Sequence, residues 1–165
     1  MARSSFSGVV RFVYGIIITT AQFAQGGNAL AAGSTFRIAV GLDVPGNANH
    51  LGGEVPDIRL FNEFGGFLGM AVDPGPIGPG GFRDLKVSHF KATDPSQQAT
   101  YTLFTGNVPA ICIAYITIKW PDGTSYGWLG DWGKRCGGTW HYSYLYIAGT
   151  TRKPNCLWVG AVSII

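Results

Sequence analysis

After residue 31 the chain offers no window in which apolar residues recur at helical spacing. Short segments alternate apolar and polar residues instead, and clusters of Gly, Pro, Asn and Asp cut them apart. Phe36, Ile38 and Val40 alternate with Arg37 and Ala39. Ile58-Arg59-Leu60-Phe61 leads into a hairpin turn at Phe64-Gly65-Gly66-Phe67 and a return from Leu68 to Val72. Leu85 and Val87 alternate with charged and polar neighbours, and Ala99, Tyr101 and Leu103 alternate with Thr100, Thr102 and Phe104. Between them, Asp73-Pro74-Gly75-Pro76-Ile77-Gly78-Pro79-Gly80-Gly81 is expected to be neither helix nor sheet ladder, because its prolines lack backbone donors. Many short strands at even spacing predict an all-β, antiparallel β-sandwich or jelly-roll-like single domain. Its composition agrees: 25 glycines and only 13% charged residues suit turns and strands rather than solvated helices.

The clearest local element is a hairpin. Ala110 to Trp120 is apolar and β-branched, Pro121-Asp122-Gly123-Thr124 turns, and Ser125 to Trp132 returns. Reading Asp122-Gly123 as a two-residue type I′ loop pairs Ile118 with Gly127 and Ile116 with Leu129. Ala114, Ile116, Ile118 and Leu129 then share a core face. Ile113, Tyr115, Thr117, Lys119, Tyr126, Trp128 and Trp132 share the other. This register also sets Cys112 opposite Gly133, within reach of Cys136 if the chain bends there. Cys136 with Cys156 is equally arguable, and all three pairings among Cys112, Cys136 and Cys156 stay open, with one thiol left over.

Downstream, Trp140, Tyr142, Tyr144 and Tyr146 point one way along the strand expected at residues 140–147. His141, Ser143, Leu145 and Ile147 point the other. Aromatic rings in alternation stabilise a sheet by packing, and they also supply flat faces on which sugar rings lie while polar groups take the hydroxyls. Trp128, Trp132, Trp140 and Tyr142 are therefore the ligand-binding candidates, with Asp131 and His141 as polar contacts and Lys134 and Arg135 nearby. Trp132 and Trp140, beside the Gly-rich Cys136 loop, are expected to be more exposed than Tyr115 and Trp128.

The amino terminus carries Arg3 and Arg11, an apolar stretch from Phe12 to Ala24 and small residues at Ala29-Leu30-Ala31, with no acid before Asp43. That order predicts a signal peptide over residues 1–31 and a mature domain over 32–165. The apolar stretch is shorter than the roughly twenty residues that span a bilayer. The mature chain would keep ten basic and nine acidic residues, and no membrane segment. An extracellular location follows, and oxidising export permits one disulfide.

Chemistry-bearing motifs are not expected. His50, His89 and His141 lie in unrelated segments, and the cysteines lack metal-ligand spacing, so neither metal nor cofactor is implied. Candidates for the carboxylate pair that a glycosidase would need exist among Glu54, Asp57, Glu63 and Asp131, but sequence brings no two of them together. No nucleophile elbow or phosphate loop occurs, and the scattered Lys and Arg make no stripe for nucleic acid.

Ala110-Ile111-Cys112-Ile113-Ala114-Tyr115, Trp120-Pro121-Asp122-Gly123, Tyr126-Gly127-Trp128-Leu129-Gly130-Asp131-Trp132-Gly133 and Cys136-Gly137-Gly138-Thr139-Trp140 together resemble small secreted proteins of filamentous fungi without an assigned function. The likeness covers mainly residues 110–158, with a weaker match over 56–69. It implies export and a β fold, and brings no catalytic residues. The expected function is a secreted, non-enzymatic binding protein for extracellular polysaccharide. A small polysaccharide hydrolase, or an effector acting through a host or cell-surface protein, are the alternatives.

Overall fold

The computed structural model describes residues 33–46, 49–90, 98–147 and 149–161, and the backbone of 12–13 and 16–17. The expected signal peptide and its junction with the domain otherwise lie outside the described residues. Within it, Phe12–Val13 (β1) and Ile16–Ile17 (β2) form a minimal antiparallel pair.

The rest is antiparallel β structure. β3 (Gly33–Val40), β8 (Phe82–Ser88), β10 (Ile111–Lys119), β11 (Ser125–Leu129), β12 (Trp140–Tyr142) and β13 (Asn155–Val159) make a six-stranded sheet in the order β12-β13-β10-β3-β8, with β11 also on β10. A second sheet runs β6-β5-β9, from β5 (Asp57–Phe61), β6 (Phe67–Ala71) and β9 (Tyr101–Thr105). One apolar core joins them: Phe36, Ile38, Val40 and Val87 from the first sheet meet Ile58, Leu60 and Leu68 from the second. The alternation read from β3, β5 and β8 is the alternation that fills this core. The β5–β6 turn closes where expected, with Gly65 at φ 75° and the Asn62 side chain accepting from Phe64 and Gly66 N–H at 3.1 and 2.7 Å.

At β9 the alternation leaves the inward face open, and the pairing decides it. Phe104 pairs with Ile58 and Thr102 with Leu60, so Thr102 and Phe104 face inward while Tyr101 and Leu103 lie exposed. Cross-strand partners share a face, so the fully buried Ile58 and Leu60 decide the matter. The proline-rich run is corrected, because Pro76–Ile77 (β7) pairs with Gly53–Glu54 (β4). A two-residue pairing tolerates a proline at its first position.

The β10–β11 hairpin is real, but its register is one residue from that expected. Ile116 faces Trp128 and Ile118 faces Tyr126. Trp120 N–H donates to Thr124 O at 2.9 Å and Gly123 N–H to Trp120 O at 3.0 Å. The loop is thus the three residues Pro121-Asp122-Gly123, a tight turn followed by a glycine at φ 83°. A one-residue slip exchanges faces. Trp128 and Tyr126 therefore join Ile116 and Ile118, and Leu129 moves to the side of Tyr115.

β10 itself changes phase midway. Its register with β3 shifts between Ile113 and Tyr115, and this bulge lets Ile111 and Ile113 share the main core with Ile116 and Ile118. Cys112 and Ala114 point to the opposite side. There, with Leu51 and Cys156, and backed by Tyr115, Leu145 and Trp158, they form a smaller core.

The return strand ends at Leu129, short of the expected Trp132. At Gly130 the chain leaves the sheet into a one-turn helix, α1 (Asp131–Arg135), and β13 takes over the vacated edge of β10 beside Ile111, Cys112 and Ile113. A Cβ at Gly130 would stand 2.6 Å from the carbonyl oxygens of Ile113 and Asn155, so only glycine fits the hand-over. The disulfide is Cys112–Cys156, and Cys136 is free and exposed. This settles the open pairing against both routes through Cys136. Cys112 lies opposite Trp158, with Cys156 two residues further along the same face.

Candidate functional site

The six candidate residues do not converge on one site. Trp128 is half-buried on the inner face of β11, packed on the main core. Tyr115 is likewise half-buried, on the smaller core. Trp132 is 54% exposed on α1, with the Arg135 guanidinium 5.9 Å from its ring centre.

Trp140 and Tyr142 stand on β12, the edge strand, opposite Leu157 and Asn155. Trp140 is half-buried, whereas Tyr142 is 56% exposed, and their rings meet edge to face at 5.4 Å. The expected strand over 140–147 stops at Tyr142, yet the alternation survives beyond it. Tyr144, at φ 56°, sets its ring 6.3 Å from that of Tyr142. On the other side of this segment, Ser143 and Ile147 are buried. The Ser143 hydroxyl donates to Pro154 O, and its main chain ties to Leu42 through Leu42 N–H to Ser143 O at 2.8 Å. These inward anchors hold residues 143–147 without a strand partner and keep the aromatic residues outward.

Two ammonium groups attend the row. Lys134 Nζ lies 4.0 Å from the Trp140 ring centre, and Lys153 Nζ lies 4.5 Å from Tyr146 and 5.7 Å from Tyr144. A cation over an aromatic face is attracted by the ring quadrupole, so each lysine is held near a ring while keeping donors for a ligand. Lys134 was legible from its place beside the aromatic segment; Lys153 was not, since only the fold brings it to Tyr144 and Tyr146.

Asp131 and His141 serve other ends. The Asp131 carboxylate accepts from Arg152 at 2.6 Å and from the backbone and side-chain N–H of Asn155 at 2.8 and 2.9 Å, tying α1 to the start of β13. His141 points away from Trp140 and Tyr142, and its ring meets Trp158 at 5.6 Å. Of the other histidines, His50 is exposed. His89 is buried, with its Nε2 3.1 Å from Ser34 Oγ and its Nδ1 without a partner, and burial lowers its pKa.

The carboxylates considered for catalysis are divided as well. Asp57 accepts from Asn107 Nδ2 and Asp73 N–H, both at 3.1 Å, and pairs with Arg59 at 3.3 Å. The Asn107 hydrogen bond is the main reason its pKa is lowered. Asp57 is thus a structural brace between β5 and two loops. Among the described residues no group of three His, Cys, Asp or Glu is placed to hold a metal ion. No family model, curated protein or solved structure matches the chain.

Proposed function

We propose that this is a secreted, non-enzymatic binding protein whose aromatic row at the β12 edge holds cell-wall polysaccharide. The observation that carries the reading is that Tyr142 and Tyr146 stay 56% and 60% exposed although they belong to one row with Trp140 and Tyr144. Rings left half in water present flat CH-binding faces and a phenol group for hydroxyls. Lys134 and Lys153 add donors along the same row. The buried pair Cys112–Cys156 supports folding in an oxidising compartment, and with it the proposed export by a signal peptide over residues 1–31.

The test is co-sedimentation with insoluble chitin, cellulose and β-1,3-glucan. Tyr142→Ala and Tyr146→Ala should each weaken retention on at least one of them by about tenfold, with thermal unfolding nearly unchanged because the rings are exposed. Retention on none of the three, or retention indifferent to both substitutions, would overturn the reading.

A further inference from the structure

A second feature lies on the same face of the sheet, toward β11 and β9, and its lining includes no member of the aromatic row. Between β11 and β9 the two sheets part around a cleft of about 890 Å³, within the range of about 300–1,000 Å³ typical of small-ligand sites. Its floor is apolar and aromatic: Ile116 and Ile118 of β10, Trp128 of β11, Trp120 from the turn, and Leu157 of β13. Its roof is β9, and there the reason for the space is visible. Thr102, half-buried and paired with Leu60, lines the cleft together with Trp128 and with the exposed Thr100 just before the strand, and short threonine side chains at these places leave space. Polar side chains gather at the rim, where Glu63 and Gln98 join the two threonines. Among the described residues Glu63 is the one charged residue lining the cleft, and it is exposed and without a partner there.

We infer that this cleft binds a small amphiphile with an apolar body and a hydroxyl or amine head. The apolar floor takes the body, since removing it from water is favourable in proportion to the area buried. Threonine hydroxyls and the Glu63 carboxylate accept hydrogen bonds from the head. A carboxylate head would instead meet the like charge of Glu63 and be disfavoured.

The experiment uses the full chain and Nile red, a neutral apolar dye, below the micelle concentration of every competitor. Dye fluorescence should rise to saturation at one site per chain. Dodecan-1-ol and dodecylamine should displace it, and dodecanoate at neutral pH should do so about tenfold more weakly. Glu63→Gln should remove the discrimination against dodecanoate. Thr102→Leu, which fills the roof, should abolish uptake while the melting temperature is retained, and Tyr142→Ala, outside the cleft lining, should leave uptake unchanged. Absence of dye uptake, uptake that survives Thr102→Leu in a folded protein, or equal displacement by all three chains would overturn the inference. Because Tyr142→Ala separates the two surfaces, failure here leaves the polysaccharide reading standing, and the reverse also holds.

Discussion

β10 is one strand with two halves, and its neighbours make them opposites. At Ile111–Ile113 it is flanked by β3 and β13, stapled to β13 by Cys112–Cys156, and covered on both faces by core. At Tyr115–Lys119 it is flanked by β3 and β11, its inner face looks into the cleft, and the nearby end of β3 carries the buried Ser34–His89 pair. The first half is closed by covalent and apolar contacts together. The second is held by backbone pairing and one layer of large side chains. Closed packing and open space are thus divided along a single strand, a division that the proposed binding role would use, with an open site on a fixed frame.

The largest expected effect comes from cutting the staple. Cys156→Ala should lower unfolding stability in a denaturant titration by about 4 kcal/mol, the loop-entropy estimate for a 44-residue separation. Cys136→Ala should shift it by less than about 0.5 kcal/mol, because that thiol is exposed. Similar losses in both variants would break the comparison at its root. A smaller contrast lies within the core. Ile111→Ala should cost about 3–4 kcal/mol and Ile118→Ala about 2 kcal/mol, since the methyl groups lost from Ile118 already border empty space. Equal costs would mean that the open half is packed as tightly as the closed one.

The smallest effect is a pH dependence confined to the open half. Burial holds His89 neutral and depresses its pKa below the ordinary 6.5. The unfolded chain then binds the proton first, so stability is complete above about pH 6.5 and falls as the pH drops below it. Melting temperatures followed downward from pH 7 should show the loss, and His89→Gln should flatten it. An unchanged profile in that variant would place the acid sensitivity elsewhere. Asp57 separates cleanly, because its carboxyl is held below 3.8, chiefly by Asn107, and its contribution is lost only in stronger acid.

Local pattern carried much of this architecture. Period-two alternation located β3, β5, β8 and β10, and the glycines marked the β5–β6 turn. What alternation alone leaves open is which of two faces turns inward, and at β9 and β11 the answer came from neighbours distant in sequence. At the β10–β11 turn the information was present but subtle. Pro121 has its φ fixed near the value that the second residue of a type I turn requires, which favours the three-residue loop ending at Gly123 over a two-residue loop at Asp122-Gly123. The disulfide was beyond local reading. It depends on β13 inheriting the edge that β11 gives up at Gly130, a contact set by topology rather than spacing. The same holds for the candidate site. Trp140 and Tyr142 stayed together because neighbours in one segment share a face, while Trp128 went inward with its strand, and Asp131 and His141 were drawn away by Asn155 and Trp158.

The sharing of one edge of β10 by two strands also fixes an order in time. β11 is made directly after β10, but β13 comes last of the described strands, so a chain emerging from its amino terminus has half of that edge vacant until Asn155–Val159 follows. During that interval Cys112 and Cys136 are both present and Cys156 is not. Premature oxidation would therefore make the Cys112–Cys136 bridge, which the finished fold cannot use. Native pairing is a reward for delay: a cell that keeps these thiols reduced until β13 arrives obtains the closed end of β10, and one that oxidises them early must first undo a bond.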